Sequence, residues 1–279
     1  MIPDHCPEGW TREGVSCYYA TPEKLSFDHA VNRCHQIEGI LAEPKTSLQN
    51  ENLVKFIRSR PFLKYSSGFW IGISDQMSEN KFVYKSSNFD LIFSKFNSGQ
   101  PDDWKQNEDC VELRTDWNDN WNDEACSSLR NFICEKGANL CPPGWTLNGN
   151  QCLITPDEKV VHDQAGPRCQ ELKGQLVTPK DWEENNLIVY FLKGQDHKKG
   201  ENRFWLGITD KDQESSFVYE ATGQKATFIP WATQPWRQPD NFNNEDQSIA
   251  RSQIFGVPLA LPLLPQNGSA ARAPALKKS

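Results

Sequence analysis

The chain has 279 residues, enough for one large domain or two ordinary ones. Its formal charge of −7 argues against a nucleic-acid binder that works by phosphate neutralisation. No apolar run approaches the roughly 20 residues of a membrane span, and ten tryptophans with nine cysteines indicate small, disulfide-stapled domains of an oxidising, extracellular or secreted setting.

Taken in order, Met1 to Cys6 shows neither the basic start nor the apolar core of a secretory signal, so the true N-terminus is expected upstream. Ser26 to Gln36 reads as a helix, with Phe27, Ala30, Val31 and Cys34 at three-to-four spacing. Thr46 with Gln49 forms a capping box ahead of a second helix carrying Leu53, Phe56 and Ile57. After Trp70 the pattern changes to short β-type runs, Lys81–Tyr84 and Asn131–Cys134, separated by polar loops. Helices are expected again at Val160–Leu172 and from Asp181, with Glu184, through Phe191. Two helices followed by a strand-and-loop half make an α+β class.

The same order twice reflects an internal repeat. Cys6-Pro-Glu-Gly-Trp-Thr recurs as Cys141-Pro-Pro-Gly-Trp-Thr, an offset of 135. Trp70-Ile-Gly-Ile-Ser-Asp75 keeps that offset as Trp205-Leu-Gly-Ile-Thr-Asp210, while Gln100-Pro-Asp102 returns as Gln238-Pro-Asp240 and Glu108-Asp109 as Glu245-Asp246. The repeat then stops: Cys110, Cys126 and Cys134 would pair with Gln247, Leu263 and Ala271. From Gln247 onward the chain turns to Pro, Ala and Leu with no acidic residue, which reads as a join to unrelated sequence. The expected organisation is a complete domain over 1–136, a linker over 137–140, a second domain over 141–246 without its final quarter, and a disordered tail over 247–279.

Six cysteines in repeat one allow fifteen connectivities, and sequence alone does not choose among them. Local plausibility suggests Cys6–Cys17 and Cys110–Cys126, leaving Cys34–Cys134. In repeat two Cys141–Cys152 is available, and Cys169 has no partner, which invites disulfide-linked or oligomeric assembly.

Segment 100–126 holds nine acidic residues against Lys105 and Arg114. Carboxylates crowded on loops repel one another, so either a cation neutralises them or they form a solvated acidic surface. Oxygen donors of this kind, with the amides of Gln100, Asn107 and Asn122, suit Ca²⁺ rather than zinc or copper.

These motifs, namely Cys-Pro-x-Gly-Trp, Trp-Ile-Gly-Ile-Ser-Asp, Gln100-Pro-Asp102, Glu108-Asp109-Cys110, Trp121-Asn-Asp123 and Phe132-Ile-Cys134, stand in the order of the C-type lectin-like domain. The chain resembles that family over 6–135 and again over 141–246. The resemblance implies two tandem copies of the C-type lectin-like fold, the second truncated, and the same disulfide pairing. It implies a principal calcium site at Gln100, Asp102, Glu108, Asn122 and Asp123, with Pro101 in a cis peptide. Trp117-Asn118-Asp119 is a near-duplicate that competes for the ligand role. An auxiliary calcium site would use Asp75, Glu79, Asp103 and Asp109 together with Glu108. In the family Gln-Pro-Asp resembles galactose and N-acetylgalactosamine binders, and Trp104 lies where such members stack an indole on the sugar, although the glycine-rich loop that often supports it is absent. Carbohydrate binding would then use Gln100, Asp102, Trp104, Glu108, Asn122 and Asp123.

Glycans or glycoproteins are the expected partners, and calcium the expected cofactor. The competing function is a calcium-independent protein-recognition module of an extracellular receptor or secreted protein. No enzymatic activity is expected: the sequence has no nucleotide-binding glycine loop, HExxH or GxSxG. Repeat two keeps Gln238, Asp240, Glu245, Asp210 and Glu214 but lacks the Asn-Asp pair, so it is expected neither to hold the principal calcium nor to fold alone.

Overall fold

A computed structural model describes residues 6–137, 141–149, 151–195, 203–231 and 247–251, with the backbone alone for 203 and 247–251. Repeat one contains β1 (Thr11–Glu13), β2 (Ser16–Ala20), α1 (Phe27–Gln36), β3 (Ile40–Leu41), α2 (Ser47–Arg58), β4 (Gly68–Ser74), β5 (Val83–Tyr84), β6 (Cys110–Arg114), β7 (Asn120–Glu124) and β8 (Asn131–Gly137). Repeat two contains β9 (Thr146–Asn148), β10 (Gln151–Leu153), α3 (His162–Glu171), α4 (Trp182–Gly194), β11 (Arg203–Thr209), β12 (Val218–Tyr219) and β13 (Gln247–Arg251). Among the described residues no helix is long and apolar enough to cross a membrane.

The helices form for the reasons their spacing suggests. Phe27, Ala30, Val31 and Cys34 all point inward from α1. The Thr46 side chain accepts the Gln49 N–H (3.1 Å) at the start of α2. The reciprocal bond is shifted by one residue, because Gln49 Oε1 accepts from Lys45 N–H (2.7 Å) rather than from Thr46. Repeat two copies the shift: Asp181 accepts from Glu184 N–H and Glu184 from Lys180 N–H.

The eight strands of repeat one share one sheet in the order β1-β2-β8-β4-β6-β7, with β3 on β8 and β5 on β4. Strand β4 is buried along its whole length, so alternate side chains feed two cores. Phe69, Ile71 and Ile73 pack with Leu53, Phe56 and Ile57 of α2, and Trp70 packs with Phe27 and Cys34 of α1. Gly72 is required by close approach: a Cβ there would lie 2.9 Å from the Leu41 carbonyl and 2.8 Å from Glu43 Cγ. A backbone oxygen cannot swing aside, so Gly72→Ala is expected to destabilise the domain by about 1–3 kcal/mol through overpacking, read as a lower urea midpoint with an unchanged m-value.

Disulfides join Cys6 to Cys17, Cys34 to Cys134, Cys110 to Cys126 and Cys141 to Cys152. Cys169 is free and half-buried. Burial, with a smaller push from Glu220, raises its thiol pKa. A scarcer thiolate makes it a slower partner for exchange.

Repeat two reproduces repeat one where its sequence does. Trp205 Nε1 donates to Val160 O (2.9 Å) as Trp70 Nε1 donates to Leu25 O (2.9 Å). His162 takes the place of Phe27, edge-on to Trp205 as Phe27 is to Trp70. Strand β13 carries the paired part of repeat two five residues past the expected boundary at 246, and the rest of the expected tail, 252–279, lies outside the described residues. Trp205 pairs with Ile249 and Thr209 with Gln247, the register in which Trp70 pairs with Glu112 and Ser74 with Cys110. A strand needs backbone groups in register and not the lost cysteine. The counterpart of β8, which bridges β2 and β4 in repeat one, is absent among the described residues. The sheet of repeat two therefore divides into the β9–β10 hairpin and a β12-β11-β13 ribbon. Gln238, Asp240, Glu245 and the sequon at Asn267 lie outside the described residues.

Candidate metal and ligand site

The ends of three strands converge beside the loop over 97–109. Ser74 of β4 pairs with Cys110 of β6, and Val111 of β6 with Asp123 of β7, which sets Asp75, Asp109 and Asp123 at one end of the sheet. Asp123 is buried and anchors the loop: its carboxylate accepts N–H bonds from Asp102 (3.0 Å) and Asp103 (2.7 Å). Asp103 accepts from Glu108 N–H (3.1 Å), and Glu108 from Trp104 N–H (3.1 Å). The loop can make these turns because Asp103, Lys105 and Gln106 adopt positive φ. The Gln100–Pro101 peptide is cis.

One oxygen each from Asp102, Glu108 and Asp123 lies within 4.8 Å of the others. Asp75, Glu79, Pro101, Asp102, Asp103 and Asp123 line a pocket of about 250 Å³. Among the described residues no Lys or Arg pairs with any of these carboxylates. Of the five other acids of segment 100–126, four pair with arginines, and Asp109 pairs with no Lys or Arg among the described residues. Glu112 and Glu124 bond Arg130, Asp116 bonds Arg114, and Asp119 bonds Arg58 (2.8 Å). Asp119 of the near-duplicate motif is thereby engaged by Arg58 and is not among the clustered oxygens.

Proximity without a cation has electrostatic consequences. Burial, reinforced by Asp123, Glu124 and Asp102, pushes Glu108 up to about 7. Burial with the charges of Glu79 and Asp109 pushes Asp75 up to about 6, and burial also raises Asp123. Two oxygens nearby, Gln100 Oε1 and Asp75 Oδ1, are buried without a hydrogen-bond partner. Buried acceptors are ordinarily paired, so both are suited to a cation. A set of carboxylate and amide oxygens is the chemistry of a hard divalent ion, and the residues present fit one.

Some expected ligands are placed differently. Asp109 does not line the pocket; its backbone carbonyl accepts from Asp75 N–H (3.1 Å). Asn122 is next to Asp123 on β7 and so points to the opposite face. There Nδ2 donates to Glu112 (3.2 Å), leaving Oδ1 and one amide hydrogen for other partners. Glu112 is the residue that sequence reading passed over. It is fully buried and accepts from Arg130 (2.7 Å), Arg114 (3.1 Å) and Asn122. Trp104 stands on the rim, 61% exposed, with Lys105 Nζ 3.9 Å from its ring centroid.

The model of the Lectin C-type domain family matches residues 23–136 and 158–252. The chain belongs to the C-type lectin domain family. Both matched segments carry its two-helix and sheet arrangement, so the fold is that of C-type lectin domains in tandem, the second lacking its closing strand among the described residues. The Perlucin-like protein of Mytilus galloprovincialis is 28% identical over 133 residues, 47% of this chain and 83% of that protein. The alpha-N-acetylgalactosamine-specific lectin of Patiria pectinifera is 31% identical over 132 residues, 45% of this chain and 77% of that lectin. The mouse scavenger receptor C-type lectin carbohydrate-recognition domain aligns with a TM-score of 0.43 at 28% identity, covering 49% of this chain and 100% of that domain.

Proposed function

We propose that repeat one binds carbohydrate through a calcium ion, as an extracellular lectin rather than an enzyme, and that it prefers galactose or N-acetylgalactosamine. The observation that carries this reading is the sorting of the acidic segment: Asp102, Glu108 and Asp123 converge without a counter-cation, while Glu112, Asp116, Asp119 and Glu124 pair with arginines. Gln100, Asp102, Glu108 and Asp123 would hold the ion; Asn122, bonded to Glu112 on the opposite face of β7, would join them only by turning its side chain. Asp75, Glu79 and Asp103 would hold a second. Bound calcium supplies a Lewis-acidic centre that coordinates sugar hydroxyls. The protein's own contribution is to fix the ligands by backbone N–H bonds and to present Trp104 as a platform for the apolar face of a sugar. The Gln-Pro-Asp order and the resemblance to the Patiria lectin support the galactose-type preference.

The test is glycan-array binding of the full chain in calcium and in chelator. Signal on galactose-type glycans that chelator abolishes is the expected result. A folded chain that binds no sugar in calcium overturns the proposal and favours protein recognition.

Calcium should also reshape the pH dependence of stability. Glu108 and Asp75 have folded pKa values above the ordinary carboxylate range. Between about pH 4 and 7 the ion-free fold therefore binds more protons than the unfolded chain, and these groups contribute stability that is lost as pH rises. A cation replaces the protons. The gain in Tm on adding calcium is expected to be small at pH 5 and to grow through pH 8. A gain independent of pH would place the ion away from these carboxylates.

A further inference from the structure

Helix α4 has two apolar sides. Ile188, Phe191 and Leu192 pack into repeat two with Leu206 and Ile208. Leu187 instead belongs to the core of repeat one, and Tyr190 meets Tyr84 (5.6 Å) and Phe89 (5.5 Å) edge-on. Along the same stripe, Tyr190 Oη donates to Ser87 Oγ (3.0 Å), Asn186 Nδ2 to Ile92 O (3.5 Å), and Glu183 accepts from Ser47 N–H (3.2 Å). Residues 183, 186, 187 and 190 have the spacing of one helix face.

Repeat one is shaped to receive that face. Lys45 is held between the rings of Tyr84 and Tyr190, 4.5 and 5.1 Å from their centroids, while its Nζ bonds buried Glu43 (3.0 Å). The first turn of α2 has no acidic residue of its own. Glu183 supplies the negative charge that a helix N-terminus favours.

The residues gripped on repeat one, Ser87, Phe89 and Ile92, lie on the segment leading into the candidate site. From Ile92 the chain runs through Phe93 and Phe96, both packed edge-on against Trp121. Trp121 N–H then bonds Lys95 O (2.8 Å), Asn97 N–H bonds Trp121 O (2.9 Å), and Gln100 N–H bonds Asn97 O (2.9 Å). The geometry points to a positioning role for the second repeat: α4 clamps segment 85–97 of repeat one and so fixes the base of the loop that presents Gln100 and Asp102. The second repeat then acts as an internal brace for the first. This goes beyond the lectin reading and stands whichever ligand the site takes.

The test uses the full chain and the variants Tyr190→Ala and Glu183→Gln, with Trp182→Ala as the control. Trp182 is on α4 but contacts Phe228 of repeat two. Amide exchange over 85–97, measured without calcium, is expected to quicken about tenfold in Tyr190→Ala, and less in Glu183→Gln, as local opening becomes easier. Trp182→Ala should leave that segment unchanged. Calcium affinity is expected to weaken several-fold in Tyr190→Ala, whereas a merely local loss of packing would leave it untouched. If Tyr190→Ala does not fold, Lys45→Met reads the same contact from the other side. Unchanged exchange over 85–97 in the folded variants overturns the brace. Failure of calcium to bind at all would sink the lectin reading and leave the exchange result to decide this one.

Discussion

Asp123→Ala is expected to weaken calcium binding by the full chain about 100-fold or more, because affinity follows ligand charge and site rigidity, and to remove calcium-dependent glycan binding with it. Both terms are lost together at this position. The side chain offers a buried carboxylate oxygen to the cluster, and the same carboxylate holds the Asp102 and Asp103 N–H groups. Asp123→Asn keeps an acceptor for the loop but drops the charge, and should fall between wild type and alanine. Asp119→Ala, which removes only the partner of Arg58, should leave calcium affinity unchanged. Calorimetric titration with calcium decides among these. An unaltered affinity in Asp123→Ala would place the ion elsewhere.

Glu112→Ala is expected to destabilise repeat one by about 3–5 kcal/mol, the usual penalty for removing one partner of a buried ion pair. Against a typical total of about 5–15 kcal/mol that is a large share. Glu112 is wholly buried and shared by Arg130 and Arg114, so its loss removes a buried partner from two guanidinium groups. Arg130 keeps Glu124 and Arg114 keeps Asp116, which holds the effect toward the lower end. Even the backbone makes room for this carboxylate, since a Cβ on Gly68 would overlap Glu112 Oε2. Urea unfolding at neutral pH provides the measurement, and a midpoint within error of wild type would refute the estimate. The variant also frees Asn122 Nδ2. A calcium affinity that falls further than stability alone explains would identify Glu112 as orienting that amide.

Much of this was legible in the residues, and the exceptions have physical causes. Phe27, Ala30, Val31 and Cys34 announce the buried face of α1, and Thr46 with Gln49 announces the start of α2, because both signals are local. The acidic cluster was visible as composition, but its division was not. Asp119 is neutralised by Arg58, 61 residues away, and Glu112 by Arg130, 18 residues away. No local pattern carries those pairings. Strand β13 was missed because Gln247-Ser-Ile-Ala-Arg251 lacks both the cysteine and the apolar alternation of its counterpart, so only register reveals it. The second face of α4 left a trace that could have been read. Leu187 to Leu192 are six consecutive apolar residues, more than one buried stripe can use, and a helix apolar all round is one packed on more than one side.

The pairing of Ser16 with Gly137 has a consequence for how such chains grow. Repeat one enters its sheet through the β1–β2 hairpin and leaves it through β8, the strand beside β2. A unit whose two ends emerge side by side can be copied, appended or shortened without threading the chain through its neighbour. The same closure ties the first strands of the unit to its last, so the sheet is completed only when synthesis of the unit is nearly finished. Contacts of such long sequence separation form slowly. Among the described residues the second copy shows no strand in that latching place, and its helix α4 takes cover on the domain made before it.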